Sequence, residues 1–137
     1  MSPKPFRFEI TIGSDTRYLA ALRSMVGAFL RHAGNGSVGK ASVIACSMAL
    51  VEAVDNAIFH AHRNRRSLPI RIALSLMDSR VVMDVVDTGG GIGELHNVEP
   101  DTLASHGRGL HIIHESMSRV SSKVGAGEHR LRMVRDL

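Results

Sequence analysis

An apolar run that ends in a single carboxylate and then turns almost entirely to glycine constrains this chain more than any other stretch. The run Val81–Val86, apolar apart from Asp84, is followed by Asp87, and four of the next six residues are glycine, namely Gly89, Gly90, Gly91 and Gly93. Because glycine lacks a side chain and permits positive φ, another molecule can approach the backbone closely there. A carboxylate at the buried end of a strand also needs a polar partner. The run therefore indicates a small-molecule site rather than an ordinary turn.

Length and composition narrow the class of protein. The chain has 137 residues, of which 44% are hydrophobic, so we expect one domain over residues 1–137 with a real core. No segment approaches the roughly 18 consecutive apolar residues of a membrane span. The net charge of +4 favours acidic ligands such as nucleotides, whereas only 4% aromatic residues leave little material for stacking on bases, so we expect no direct nucleic-acid partner. A single cysteine, Cys46, and an N-terminus without an apolar signal core predict a cytoplasmic protein.

Hydrophobic periodicity predicts an alternation of strands and helices. The expected elements of the first half are a strand over Phe6–Ile12, a helix that Ser14 or Asp15 caps and Gly34–Gly36 ends, and a long helix from Ser37 to about Arg63. The expected elements of the second half are strands over Ile70–Leu76 and Val81–Asp87, a helix opening at His106–Leu110 with Leu110, Ile113, Met117 and Val120 at helical spacing, and strands near Val120–Val124 and Arg130–Val134. Hairpins rather than repeated crossovers predict an α+β fold, a two-layer sandwich of helices on a mixed, mainly antiparallel sheet.

The long helix carries a polar pair that its apolar stripe does not explain. Glu52 and Asn56 stand four residues apart, so their side chains project about 40° apart on one face. The stripe predicted to pack on the sheet lies roughly opposite and consists of Val43, Leu50, Val54, Ala57 and Ala61. Ordinary amphipathicity, with the polar pair facing water, is one interpretation. The other is a site, because carboxylate and carboxamide oxygens suit Mg²⁺ and a carboxylate beside a phosphate can accept a proton.

A second glycine cluster falls at the predicted start of the third helix. Gly107 and Gly109 flank Arg108 at this point. Free backbone N–H groups and the helix dipole at such an end bind anions, and the arginine adds a positive charge. Taken alone, a Gly-x-Gly pair also fits a flexible helix entry. Eight histidines are present, but His60 with His62 and His111 with His114 meet no zinc template, so no structural metal site is predicted from them.

In this order the three motifs resemble those of the Bergerat-type ATPases, which include gyrase-like topoisomerases, chaperone ATPases and histidine kinases. Glu52–Ala57 is similar to their N box, Asp87–Gly93 to their first glycine box, and Gly107–Leu110 to their second. Over essentially its whole length the chain resembles the small anti-sigma factor serine kinases of this group. The resemblance implies a histidine kinase-like ATPase domain with ATP and Mg²⁺ as cofactors.

The resemblance also implies roles for individual residues. Asn56 would coordinate Mg²⁺, and Glu52 would be the general base toward a serine hydroxyl. Asp87 would accept a hydrogen bond from the adenine amino group. The other implied nucleotide contacts are Gly89, Gly91 and Ile92 at the base, and Gly107, Arg108, Gly109, Leu110 and His60 on the phosphate side, with the segment 93–105 as a lid.

The same resemblance implies the partners and an alternative. The partners would be an anti-sigma factor antagonist of the STAS type and a sigma factor or another regulator. The chain would also form a homodimer. Some members carry an arginine just before the second glycine box, where this chain has Ser105 and His106. That departure motivates a second hypothesis, a nucleotide-bound module with weak catalysis that regulates its partner by sequestration only.

Overall fold

A computed structural model of the chain describes residues 6–61, 63, 65–88 and 109–137. The elements are, in chain order, β1 (Phe6–Gly13), a 3-10 turn (Thr16–Tyr18), α1 (Leu19–Gly34), α2 (Lys40–Asn56), a π-helical turn (Ala57–Ala61), β2 (Pro69–Met77), β3 (Arg80–Asp87), α3 (109–116), β4 (Arg119–Gly125) and β5 (Glu128–Asp136). The helices cover one face of the sheet, so the predicted α+β two-layer sandwich is confirmed.

The sheet has the order β1-β2-β3-β5-β4, and each pair of neighbouring strands within it is antiparallel. Two hairpins account for much of this arrangement. Asp78 and Ser79 have φ values of 52° and 57° between β2 and β3, and Ala126 and Gly127 have values of 52° and 74° between β4 and β5. Positive φ at both central residues is the signature of the tight turn that matches strand twist. The remaining step places β5 beside β3, which brings the start of β5 next to the end of β3.

The core lies between the helices and the sheet. Along β3 the side chains of Val81, Met83 and Val85 are buried, and α2 contacts this strand and β5. The predicted stripe of α2 is confirmed where it is described, since the side chains of Val43, Leu50, Val54 and Ala57 are buried. Burial of such a stripe, rather than local propensity, supplies most of a helix's stability.

In the described part of the chain, Lys40–Phe59 is the one helix that is long and apolar enough to cross a membrane by length and composition. Its mean hydropathy is 1.5, and 56% of it is buried inside the protein. A core helix passes the same test, and Leu50 and Val54 are fully buried here. The apolar character of this helix therefore follows from its position against the sheet.

Helix α2 begins at Lys40 with Gly39 as its N-cap, so the predicted start at Ser37 was wrong. The Ser37 N–H donates to the Gly34 carbonyl at 2.8 Å and closes a turn instead. Val38 then enters the core so close to Gly34 that a Cβ there would lie 2.6 Å from Val38 Cγ2. Two residues of the linking segment are therefore needed for the turn and the core contact.

Two further boundaries differ from the expectation. Regular α-helix ends at Asn56 and the π-helical turn ends at Ala61, short of Arg63, which has a left-handed φ of 48°. Val120 lies in β4 and not in the third helix. The reason is that the Ser118 N–H already donates to the Val134 carbonyl of β5 at 2.7 Å, so sheet pairing replaces helical bonding before Val120.

Candidate functional site

The last turn of α2 holds a buried side-chain amide, that of Asn56. The side chain of Asn56 is 9% exposed, and its Nδ2 has no hydrogen-bond partner among the described residues. A buried polar group without a partner destabilises the folded state, so such groups are rare and call for a reason. The π-helical turn that begins at Ala57 is a second irregularity at the same place, and such turns occur frequently at functional sites.

The first described residue of α3 lies directly against this polar pair. A Cβ built on Gly109 would stand 2.7 Å from Glu52 Oε2, 3.5 Å from Asn56 Oδ1 and 3.7 Å from Asn56 Nδ2. A methyl group at this position would displace the Glu52 carboxylate, which is the end of a flexible side chain. The structure thus brings together the Glu52/Asn56 pair and Gly109 of the second glycine cluster, which are far apart in sequence. An amide donor with no partner among the described residues, next to a glycine without a side chain, fits a polar ligand with oxygen atoms.

The electrostatics of Glu52 differ from those of an exposed carboxylate. Burial, and secondarily the neighbouring Asp55 carboxylate, raises the pKa of Glu52 above its ordinary value. Both causes disfavour the charged form. A carboxyl whose pKa lies closer to neutrality is a better proton acceptor in catalysis than one with an ordinary value. The position is consequently suited to general base chemistry.

A second cluster lies at the end of β3. Asp87 is 4% exposed and stands in register with His129 of β5, which is 2% exposed. The Asp87 Oδ2 and His129 Nδ1 atoms are 3.3 Å apart, and His129 Nε2 lies 2.6 Å from the Ser122 Oγ of β4. The carboxylate that the sequence marked as needing a partner thus has one on the neighbouring strand.

The described residues place part of the predicted site. Glu52, Asn56 and Gly109 come together on the helix side, and Asp87 lies at the strand end. Leu110 follows Gly109 in α3 and packs half-buried against the core. The other predicted contacts fall outside the described part of the chain, namely the side chain of His60 and the residues Gly89, Gly91, Ile92, Gly107 and Arg108.

Sequence reasoning missed His129 and Ser122 as companions of Asp87. The predicted last strand began at Arg130, whereas β5 begins at Glu128, so His129 was left outside it. A signal was available, because period-2 alternation places His129 on the same face as Leu131 and Met133, both buried. A histidine in that series of core positions needs polar partners, which the end of β3 supplies.

Comparison with known proteins identifies the type of domain. A family model described as the histidine kinase-like ATPase domain matches residues 12–135. A search of curated proteins finds no match. Among solved structures the chain is similar to the RsbU and RsbW domains of Rv1364c from Mycobacterium tuberculosis, with 20% identity and a TM-score of 0.72 over 96% of this chain and 32% of that one.

A second similar structure is the histidine kinase domain of the Erythrobacter litoralis EL346 blue-light activated histidine kinase. The identity is 18% and the TM-score 0.59, over 89% of this chain and 60% of that chain. The chain therefore spans less than two thirds of either protein. At these identities the two structures establish the shared fold.

Proposed function

The chain belongs to the family of histidine kinase-like ATPase domains, and we propose that it is an ATP-dependent protein serine kinase of the anti-sigma factor type. Its substrate would be a serine of an anti-sigma factor antagonist, a STAS-type protein. Its second activity would be to sequester a regulatory partner such as a sigma factor in the cytoplasm. The observation that carries the proposal is the contact surface formed by Glu52, Asn56 and Gly109, three residues that the N box and second glycine box contribute.

The helix side would hold the phosphate end of the nucleotide. Mg²⁺ bound there would neutralise phosphate charge during transfer. Asn56 is suited to hold the ion through its Oδ1, with its unpartnered Nδ2 left as a donor toward a phosphate oxygen. Gly109 adds backbone at the first described turn of α3, without a side chain to exclude the ligand.

Glu52 would take the proton in the transfer step. As the serine oxygen bonds to the terminal phosphorus and the bond to the bridging oxygen breaks, the hydroxyl proton passes to the Glu52 carboxylate and ADP leaves. The raised pKa of Glu52 supports this role because it makes the carboxylate a stronger base.

The sheet side would hold the base. Asp87 would accept a hydrogen bond from the adenine amino group, as a buried carboxylate at the edge of the core can. The resemblance of Asp87–Gly93 to the first glycine box supports this assignment. The two clusters lie on elements in mutual contact, since α2 packs on β3.

The test is phosphoryl transfer by the full chain. A partner captured from the native cell is incubated with γ-labelled ATP and Mg²⁺, and the labelled residue is mapped. We expect a labelled serine, and we expect Glu52→Gln to slow labelling about 10²- to 10⁴-fold while ATP binding persists. Labelling at the wild-type rate by Glu52→Gln would contradict the assigned base.

A matched control is Asp55→Asn on the same helix. It removes a neighbouring carboxylate but leaves the base in place, so labelling should continue. Because Asp55 is one cause of the raised pKa of Glu52, the acid limb of the pH–rate profile should move to lower pH in this variant.

The alternative is the nucleotide-bound module that acts by sequestration only, motivated by Ser105 and His106 in place of an arginine. It predicts tight ATP binding and stable partner capture with no labelled serine on any captured protein. The same incubation therefore separates the two functions.

A further inference from the structure

Three polar side chains from three different strands form a continuous chain of contacts at the end of β3. Ser122 of β4, His129 of β5 and Asp87 of β3 follow one another, with 2.6 Å between Ser122 Oγ and His129 Nε2 and 3.3 Å between His129 Nδ1 and Asp87 Oδ2. The imidazole and the carboxylate are almost fully buried, at 3% and 5% side-chain exposure. Groups so buried keep a defined geometry because few other arrangements satisfy them.

The chemistry of the three groups fixes the direction of the hydrogen bonds. A carboxylate only accepts, so His129 Nδ1 carries the proton that is donated to Asp87 Oδ2. In the neutral imidazole Nε2 is then an acceptor, and the Ser122 hydroxyl donates to it. Asp87 thereby selects the tautomer of His129, Ser122 helps to hold the orientation of the ring, and His129 in turn orients the carboxylate.

We propose that His129, supported by Ser122, is a positioning residue that orients Asp87 so that the site selects a nucleobase bearing an amino group over one bearing an oxo group at the same carbon. The inference rests on the proposed function, in which Asp87 recognises the base. An oriented carboxylate accepts a hydrogen bond from an amino group. It repels an oxo oxygen, because two hydrogen-bond acceptors would then face each other. A carboxylate released from His129 can turn aside, and its discrimination falls.

The experiment compares two nucleotides that differ at this one position. ADP carries the amino group, and inosine diphosphate carries an oxo group there. Binding of each to the full-length chain is measured by calorimetry for the wild type, His129→Leu, His129→Asn and Ser122→Ala. We expect the wild type to prefer ADP by about tenfold or more, the range that one hydrogen bond to a charged group supplies.

The variants should differ in their preference for ADP according to which hydrogen bond each one retains. His129→Leu should bring the preference for ADP close to unity. His129→Asn, whose amide can replace the Nδ1 donor, should retain most of it, and Ser122→Ala should fall between these. Ser121→Ala is the matched control, because Ser121 is the neighbouring exposed residue of β4 and its side chain faces the other side of the sheet.

A purely structural role for His129 gives a different result. His129→Leu would then lose thermal stability, yet its ratio of ADP to inosine diphosphate affinity would stay at the wild-type value, which overturns the proposal. If His129→Leu does not fold, the ratio of Ser122→Ala decides. A Ser122→Ala variant whose ratio of ADP to inosine diphosphate affinity equals that of the wild type overturns the proposal.

Failure of the nucleotide site, on which the proposed function depends, would look different again. In that case the wild-type chain binds neither nucleotide, whatever the variants do. Wild-type binding of ADP with no preference over inosine diphosphate overturns the selective role alone.

Discussion

The two polar clusters of this molecule differ in how far their buried groups are hydrogen-bonded. On the helix side, Asn56 keeps a buried amide without a partner among the described residues, and the pKa of Glu52 is raised by burial and by Asp55. On the sheet side, Asp87 is equally buried but has His129 as a partner, and His129 has Ser122. Among the described residues, the helix-side cluster leaves a buried donor without a hydrogen bond, whereas the sheet-side cluster has hydrogen bonds of its own.

This difference indicates which part of the site depends on its ligand. A cluster that holds unpaired groups is completed by what binds to it, and it becomes less favourable when nothing does. A cluster with internal hydrogen bonds is organised in advance and gives specificity without rearrangement. The helix side should therefore govern affinity for the phosphates and the chemistry, and the sheet side should govern the choice of base.

Removing the unsatisfied amide should have the largest effect. We expect Asn56→Ala to weaken Mg²⁺-dependent ATP binding at least about 10²-fold, as loss of a charged-group partner does. The unliganded protein should unfold at an unchanged or higher temperature, because a buried group without a partner costs about 1–3 kcal/mol. Thermal unfolding with and without MgATP measures both.

The matched control is Ser47→Ala on the same helix. Ser47 is buried too, but its hydroxyl already donates to the Val43 carbonyl at 2.8 Å. It should leave MgATP binding unchanged. If Asn56→Ala bound MgATP with wild-type affinity, the helix-side cluster would not depend on its ligand as inferred above.

A smaller effect is expected from a single methyl group at Gly109. In Gly109→Ala the new Cβ would meet Glu52 Oε2 at 2.7 Å, so the carboxylate has to turn away. Transfer should fall by about tenfold or more while the unliganded stability holds, because alanine is favoured over glycine in a helix by about 1 kcal/mol. The ratio of rates with saturating ATP measures this.

Gly125→Ala provides the comparison, since nothing lies within 4 Å of a Cβ at Gly125. Its transfer rate should equal that of the wild type. Equal phosphoryl transfer rates in the two alanine variants would mean that the absence of a side chain at Gly109 is not needed for transfer.

The success of sequence reasoning differs between the two clusters for a physical reason. The pairing of Glu52 with Asn56 follows from helical spacing, which is local, and the strand ending at Asp87 follows from its apolar run. The contact between Asp87 and His129 depends on strand order, and β5 reaches β3 without being its neighbour in sequence. Period and composition carry no information on that order, so the carboxylate was predicted and its partner was not.

Boundaries show the same division between local and tertiary causes. The predicted strands Ile70–Leu76 and Val81–Asp87 do form a hairpin, with Asp78 and Ser79 at its turn. The start of α2 was misplaced because Val38 is drawn into the core beside Gly34, a contact that no capping preference reveals. The π-helical turn after Asn56 has no known local signature in this chain, and its position beside the candidate site is a property of the folded protein.

The raised pKa of Glu52 predicts a pH-dependent cost to stability. Because the folded state binds this proton more tightly than the unfolded state, the contribution of Glu52 is fully present below its ordinary pKa of 4.5 and is lost as the pH rises through the folded value. We expect Glu52→Gln to gain stability relative to the wild type between pH 4 and pH 7. Urea unfolding across that range measures the gap.

Asp55→Asn sharpens this expectation, since it removes the second cause of the shift. The difference in the free energy of unfolding between the Glu52→Gln protein and the protein with Glu52 should be smaller when both also carry Asp55→Asn. A gap that does not change with pH would mean that Glu52 is as well solvated as an ordinary surface carboxylate.

The smallest effect is expected at a second buried carboxylate of β3, Asp84. This residue tests whether burial alone, or position at the end of the strand, gives Asp87 its role in nucleotide binding. Asp84 stands three residues earlier and so faces the other side of the sheet, where Arg132 Nε and Nη2 donate to it at 2.8 and 2.9 Å. The hydrogen bonds to Asp84 raise the pKa of Arg132, whose side chain is half exposed, whereas Asp84 itself is buried. Asp84→Asn should lower the free energy of unfolding by about 1 kcal/mol.

Nucleotide affinity and the preference for ADP over inosine diphosphate should be unchanged in Asp84→Asn, because the helices and the candidate site lie on the opposite face. Denaturant unfolding and calorimetry on the same preparation measure both quantities. Loss of base preference in this variant would mean that the orientation of Asp87 depends on the rigidity of β3 as a whole. The hydrogen bonds from His129 would then be one contribution among several, and the contrast between a satisfied and an unsatisfied cluster would extend across both faces of the sheet.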